Sequence, residues 1–377
     1  MSESNYAEVF PPGEFLREEL EARNWTQLDL ATVLGRPPRL VNEIILAKRA
    51  ITPETAAGLA EALGTSAELW MRLESVWQLS RLAAKDEAIS KRAKLYNKFP
   101  VNEILKRGWI EPTDNLDLLQ SKLLEFSELS SLDQEPIRAH AFRKNNATES
   151  PTGLQLAWFY RARHLARTMV VPRFSEEKLK QCLNKLRTLL PSPEEIRHVP
   201  KLLSEAGIRF VMVEAFQGSK IDGVCFWLDR NSPVVAISIR YDRIDWFWFT
   251  LIHELRHVAN GDGRDIAVLD VDLVGDDVDR ESINEIERRA DAEASEYLIP
   301  RDVLNNFMVR TRPLYAEVKI IGFADRIGVH PGIVIGRLQR LKEIPYANLR
   351  KYLVKTRHVL AQTSLVDGWR TAVSTTS

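Results

Sequence analysis

Cysteine is scarce in this chain. Only Cys182 and Cys225 occur in 377 residues, far apart and without a C-x-x-C partner, which excludes a disulfide framework or thiolate metal site and marks both as buried thiols. Long apolar runs are missing too. No segment reads as a membrane span, and Met1-Ser2-Glu3-Ser4 lacks the basic and apolar parts of a signal segment, so a cytoplasmic protein with no membrane partner is expected. Net charge is absent as well, 52 Lys/Arg facing 52 Asp/Glu, but the balance conceals segregation. Residues 138–190 hold eleven basic residues against three acidic ones, whereas residues 243–300 hold six against fifteen. What remains is ordinary globular material, 45% hydrophobic and 28% charged, long enough for two or three domains.

The acidic stretch contains the chemistry. An apolar run from Trp246 leads into His253-Glu254-Leu255-Arg256-His257, and on a helix the four-residue step puts both imidazoles on one face, one turn apart, as two ligands of one zinc ion require. Glu254 falls at the edge of that face, where a carboxylate acts as general base toward a metal-bound water. Asp242 or Asp245 can cap the helix start, and Asn260-Gly261 can supply the left-handed residue at its end. A second amphipathic helix is expected from Ser282 to Leu298, with Ser282 and Glu285 as a capping box and Ile283, Ile286, Ala290, Ala294 and Leu298 as its stripe. Glu287 and Asp291 stand four apart beside the stripe, so one can reach a metal while the other hydrogen-bonds a ligand histidine. The alternative is a solvated charged face shared with Arg288 and Glu296. Between the helices, Gly261–Arg280 carries seven aspartates, Asp262 and Asp270 among them, without calcium-loop spacing. It reads as an exposed loop that shapes access to the site.

H-E-x-x-H followed by Glu287, Ala290, Asp291, Ala294, Leu298 and Pro300, in the pattern E-x-x-A-[ND]-x-x-A-x-x-x-L-x-P, resembles the ImmA/IrrE family of zinc metallopeptidases. Arg256 and Glu293 depart from the small and apolar residues usual there. The resemblance implies Zn2+ held by His253, His257 and Glu287, with Glu254 as catalytic base; Asp291 would then orient one histidine.

Residues 10–80 read as five short helices punctuated by Pro11-Pro12-Gly13, Thr26, Gly35, Pro37-Pro38, Thr52-Pro53, Gly64 and Ser66. Ala31, Gly35 and Val41 have helix-turn-helix spacing: a small residue for close crossing, a glycine for the turn and an apolar plug. With Leu34-Gly35-Arg36-Pro37, Val41-Asn42-Glu43-Ile44-Ile45, Lys48-Arg49 and Ile51–Ala56, the segment resembles HigA-type antitoxins of the Xre class. That implies a dimeric, operator-binding domain whose recognition helix is Arg39–Ala47. Arg39, Asn42 and Glu43 would face base edges, with Arg36, Lys48 and Arg49 near phosphates. Residues 1–80 nevertheless hold seven basic against twelve acidic residues, so phosphate attraction must come from a few local side chains or from residues 81–110, where eight basic residues face three acidic ones. The alternative is a helix-turn-helix kept for protein interaction.

Residues 115–205 read as helical throughout, and Arg143–Asn146 with Arg161, Arg163 and Arg167 read either as an anion-binding row or as a solvated face. Strands are expected at Arg209–Val213, Gly223–Leu228 and Val234–Ile239, with Gly223-Val224 on an edge able to hold an extended peptide. Ala324, Gly328 and Val334 repeat the earlier four-then-six spacing, as a second helix-turn-helix or as a helical cap on the core. His330 is a candidate transition-state donor, and Thr363–Ser377 reads as a frayed tail. The expected architecture is mainly α with a small α+β domain: a five-helix domain at 8–80, a helical connector at 81–205, a zincin-like domain with a short sheet at 206–345 and a tail at 346–377. The expected function is a DNA-binding zinc metalloendopeptidase that cleaves a regulatory protein such as a repressor or cognate toxin. The competing expectation is a HigA-like antitoxin or repressor whose second domain binds a partner with little or no proteolysis.

Overall fold

The computed structural model describes residues 9–82, 87–134, 142–144, 151–264, 267–271 and 285–368. The chain divides into two compact units, Met1–Ala93 and Lys94–Ser377.

The first unit holds α1 (Pro12–Ala22), α2 (Gln27–Leu34), α3 (Pro38–Ile45), α4 (Pro53–Leu63) and α5 (Ala67–Leu82). Local chemistry sets most of these boundaries. The Thr26 hydroxyl accepts from the Asp29 N–H and the Asp29 carboxylate accepts from the Thr26 N–H, a reciprocal cap on α2. Gly35 ends α2 in the left-handed region at φ 60°. α3 stops two residues short of the expected Ala47, which itself takes a positive φ of 53°. Leu16, Leu30, Ala31, Val41, Leu59 and Trp70 close the core between the helices. Gly13 permits the tightest approach, because a Cβ there would lie 2.3 Å from the carbonyl oxygen of Ile44.

The second unit is a six-stranded sheet between two helical layers. Its strands are β1 (Phe142–Lys144), β2 (Arg209–Val213), β3 (Ile221–Trp227), β4 (Pro233–Ile237), β5 (Ala267–Val271) and β6 (Leu365–Asp367), in the order β1-β5-β3-β4-β2-β6. β3 runs antiparallel to both its neighbours, while β2 is parallel to β4 and β6. Strand alternation divides the core: Cys225, Trp227, Val235 and Ile237 face one helical layer, and Val224, Phe226, Val234 and Ala236 the other. The end of α6 (Glu87–Lys98), which contributes Leu95, supplies the second layer with α7 (Val101–Lys106), α8 (Leu116–Phe126) and α9 (Gly153–Thr168). The first is built from α10 (Glu176–Leu189), α11 (Val199–Glu205), α12 (Ile244–Asn260), α13 (Glu285–Leu298), α14 (Arg301–Thr311), α15 (Glu317–Ile327), α16 (Pro331–Arg340) and α17 (Arg357–Leu360).

Several expectations need correction. The region read as a separate connector packs on the sheet, with Trp158 and Phe159 buried against its strands, because a sheet buried on both faces needs a layer on each. Gly223 and Val224 lie on central β3, flanked by β4 and β5, so they form no edge. The acidic loop contains β5, whose residues 267–270 are buried. Leu365–Asp367 pairs with β2 and is no frayed tail. Asp242 and Asp245 do not cap α12, whose cap position is Arg243 and carries no side-chain capping bond. Asp242 accepts instead from the N–H groups of Thr356 and Arg357, and Asp245 binds the Arg243 guanidinium. The Ser282 cap, Asn145 and Asn146 fall outside the described residues. α15 and α16 adopt the helix–turn–helix spacing with Gly328 at φ 68°, but Ile333, Val334, Ile335 and Leu338 are buried in the core, which makes the pair a helical cap.

Candidate metal centre

The site is built where α12, α13 and β5 meet. α12 is almost entirely buried from Ile244 to Val258 and lies on the sheet, while α13 approaches it through Ala290 and Ala294, both fully buried. Small side chains allow that approach, and Gly261 at φ 73° ends α12 and turns the chain back toward it. Gly223 on β3 makes room for Glu254, since a Cβ there would stand 2.0 Å from Glu254 Oε1.

Four side chains converge. His253, His257, Asp270 and Glu287 each offer one ligand atom, and those atoms all lie within 4.8 Å of one another. The two Nε2 atoms are 3.0 Å apart, and Glu287 Oε2 is 3.2 Å from the first and 3.6 Å from the second. Asp270 Oδ2 stands 3.3 Å from His253 Nε2. The outward nitrogens face carboxylates. His253 Nδ1 faces Asp291 Oδ1 at 3.0 Å, and the Nδ1–H of His257 donates to Asp262 at 3.1 Å. Arg340 in turn donates to Asp291 and Arg289 to Asp262. A carboxylate on Nδ1 keeps its proton there and leaves the Nε2 lone pair pointing inward.

This donor set fits a divalent cation. Two imidazole lone pairs facing each other beside two buried carboxylates repel unless a positive charge lies between them, and Asp270 Oδ1 and Oδ2, Glu287 Oε1 and both Glu254 oxygens are buried without a hydrogen-bond partner. Two nitrogens and two oxygens suit zinc or a neighbouring transition metal.

The electrostatics agree. Burial pushes the Glu254 carboxyl well above its ordinary range, and the adjacent Asp270 charge adds to the shift. Burial also raises Asp270, to about 6. Burial opposes charge on His257, but its bonds to Asp262 and Glu287 outweigh that and raise it to about 9. His253 is likewise lowered by burial and raised further by Asp270, with a net shift well upward. Burial alone would raise Glu287, yet its hydrogen bonds with the two histidines hold it far below the carboxylate range. The pocket attracts positive charge.

Of the residues singled out from the sequence, His253, His257, Glu254, Glu287 and Asp291 are brought to one place. His330 is not: its Nδ1 accepts from the Gly332 N–H and caps α16. Asp262, Asp270, Arg289 and Arg340 were missed. Asp262 alone had a local signal, five residues after His257 and just past the left-handed Gly261. In the first unit Arg39 and Arg49 both bind Glu43, at 2.7 and 2.8 Å, and Asn42 donates to Gln27. Arg36 and Lys48 are exposed.

Residues 16–70 match the helix-turn-helix family model, and residues 204–339 match that of the IrrE N-terminal-like domain. Virulence-associated protein I of Dichelobacter nodosus is 35% identical over 77 residues, covering 20% of this chain and 70% of that protein. The uncharacterized HTH-type transcriptional regulator YddM of Escherichia coli K12 is 29% identical over 84 residues, 22% of this chain and 88% of that one. Among solved structures, the Pseudomonas aeruginosa antitoxin HigA with the higBA promoter is 32% identical, covering 21% of this chain and 87% of that one with a TM-score of 0.21. The chain therefore belongs, through its first unit, to the helix-turn-helix family that includes virulence-associated protein I, and it carries an IrrE N-terminal-like, metallopeptidase-like domain downstream.

Proposed function

We propose that this protein is a DNA-binding regulator that also hydrolyses a peptide bond of a partner regulatory protein, a repressor or a cognate toxin. The observation that carries the reading is the convergence of His253, His257 and Glu287 on one buried point beside Glu254. The helix-turn-helix match over residues 16–70 supports operator binding through the first unit, which would act as a homodimer. Arg39, Asn42 and Glu43 would face bases, and Arg36, Lys48 and Arg49 phosphates. Among the described residues no helix is long and apolar enough to cross a membrane.

His253 and His257 would hold Zn2+ through Nε2, and Glu287 through a carboxylate oxygen. Such an ion, when bound, supplies Lewis acidity and acidifies a water. Asp291 and Asp262 fix the tautomers of the two rings. Glu254 would accept a proton on its carboxylate and hand it to the departing amine nitrogen, a task its raised proton affinity favours. Gly223 gives that carboxylate its space.

Comparing the proteins of cells carrying wild type and Glu254→Gln tests the reading. One protein should be shortened only with the wild type, while the variant retains its metal. Identical protein patterns would remove the peptidase. A second reading, a repressor or antitoxin without proteolysis, is favoured by the burial of His253, His257 and Asp270, each 0% exposed. Under it, Arg39→Ala with Asn42→Ala abolishes the cellular effect and Glu254→Gln does not.

A further inference from the structure

The HExxH helix and Glu287 provide three donors, the number that leaves a tetrahedral ion one open position for chemistry. Here a fourth is already present. Strand alternation on β5 sends Ala267 and Leu269 to the α9 face of the sheet and Asp270 to the α12 face. Its side chain is 0% exposed, its Oδ2 lies 3.3 Å from His253 Nε2 and 3.9 Å from His257 Nε2, and neither of its oxygens has a hydrogen-bond partner. A buried carboxylate that makes no hydrogen bond is costly, and an ion shared with the histidines and Glu287 would satisfy it. β5 is held between β1 and β3, with Val268 and Leu269 paired to Cys225 and Val224, so Asp270 is placed by the sheet.

We propose that Asp270 is a fourth protein donor to the ion, so that the resting centre is coordinatively closed. The inference rests on the three-donor reading above and extends it. A closed centre binds metal firmly and excludes water, which agrees with the complete burial of both histidines. Hydrolysis then requires Asp270 to leave the ion, and whatever displaces it controls the peptidase. The competing role for Asp270 is a positioning one, in which it only braces the neighbouring Glu254.

The full chain loaded with Co2+ separates these roles. Wild type should show a visible spectrum of a four-donor site that does not respond to azide. Asp270→Ala, and Asp270→Asn as the variant that keeps the side-chain volume, should bind Co2+ more than about 100-fold more weakly, beyond the usual loss from removing an outer partner. Both should gain an azide-dependent spectral change. Far-UV circular dichroism matching wild type shows that they fold. Wild-type affinity in both variants, or an azide response already in the wild type, overturns the proposal while leaving the three-donor centre intact. A wild type that binds neither Co2+ nor Zn2+ overturns both.

Discussion

The two units treat charge in opposite ways. In the first, Arg39, Glu43 and Arg49 form an ion-pair chain on the surface, with the Arg39 side chain 87% exposed. In the second, His253, His257, Asp270 and Glu287 crowd together at 2% exposure or less. Exposed pairs exchange readily with water and contribute little to folding, so they are free to be traded for a partner. Buried groups have no such exchange, and their arrangement demands a specific counter-charge. One surface is therefore adaptable and the other is selective.

The comparison is tested most severely by pH. His257 has a folded-state pKa raised to about 9 from an ordinary value of about 6.5. The stability it lends to the ion-free protein is thus fully present below about 6.5 and is lost as pH rises through about 9. A metal must displace that proton. Affinity for Zn2+ should accordingly rise about tenfold per pH unit across the window for each proton released, as measured by competition with a chelator; a flat profile would show that the histidines are not ligands. Asp291→Asn comes next. It removes the carboxylate on His253 Nδ1 and should weaken metal binding by roughly 10- to 100-fold without unfolding the protein. The smallest effect on folding belongs to the exposed chain: Arg39→Ala should leave the melting temperature unchanged, while operator affinity falls roughly 5- to 150-fold in a filter or fluorescence titration. A large drop in melting temperature would show that the pair chain is structural.

The same spacing can also serve two ends. Ala31, Gly35 and Val41 recur as Ala324, Gly328 and Val334, and both sets form two helices about a left-handed glycine. Val41 and Val334 are both buried. The difference lies on the other faces, where α3 exposes Arg39 and Asn42 whereas α16 buries Ile333, Ile335 and Leu338. Spacing encodes the turn, and the remaining face decides what the pair is for.

Local signals in the chain were sufficient for the first unit and for half of the site. Caps, glycines and prolines act within a few residues, so Thr26, Gly35 and Gly64 mark helix ends before any tertiary contact forms. His253 and His257 share a face because the helical repeat puts them there. From spacing Glu287 and Asp291 were legible only as a pair, and it was the family resemblance that assigned Glu287 to the ion and Asp291 to a histidine.

Tertiary structure decided the rest. Ala267-Val268-Leu269-Asp270-Val271 is a short apolar run set among six other aspartates; pairing with buried β3 makes it a strand and turns Asp270 toward the histidines. Arg340, 49 residues from Asp291, reaches it because α16 packs on α12. Sequence by itself determined where helices start, where they stop and which two imidazoles are neighbours, since those depend on bonds spanning one turn. Which acids surround them was settled by the sheet, because strand pairing joins residues that no local periodicity relates.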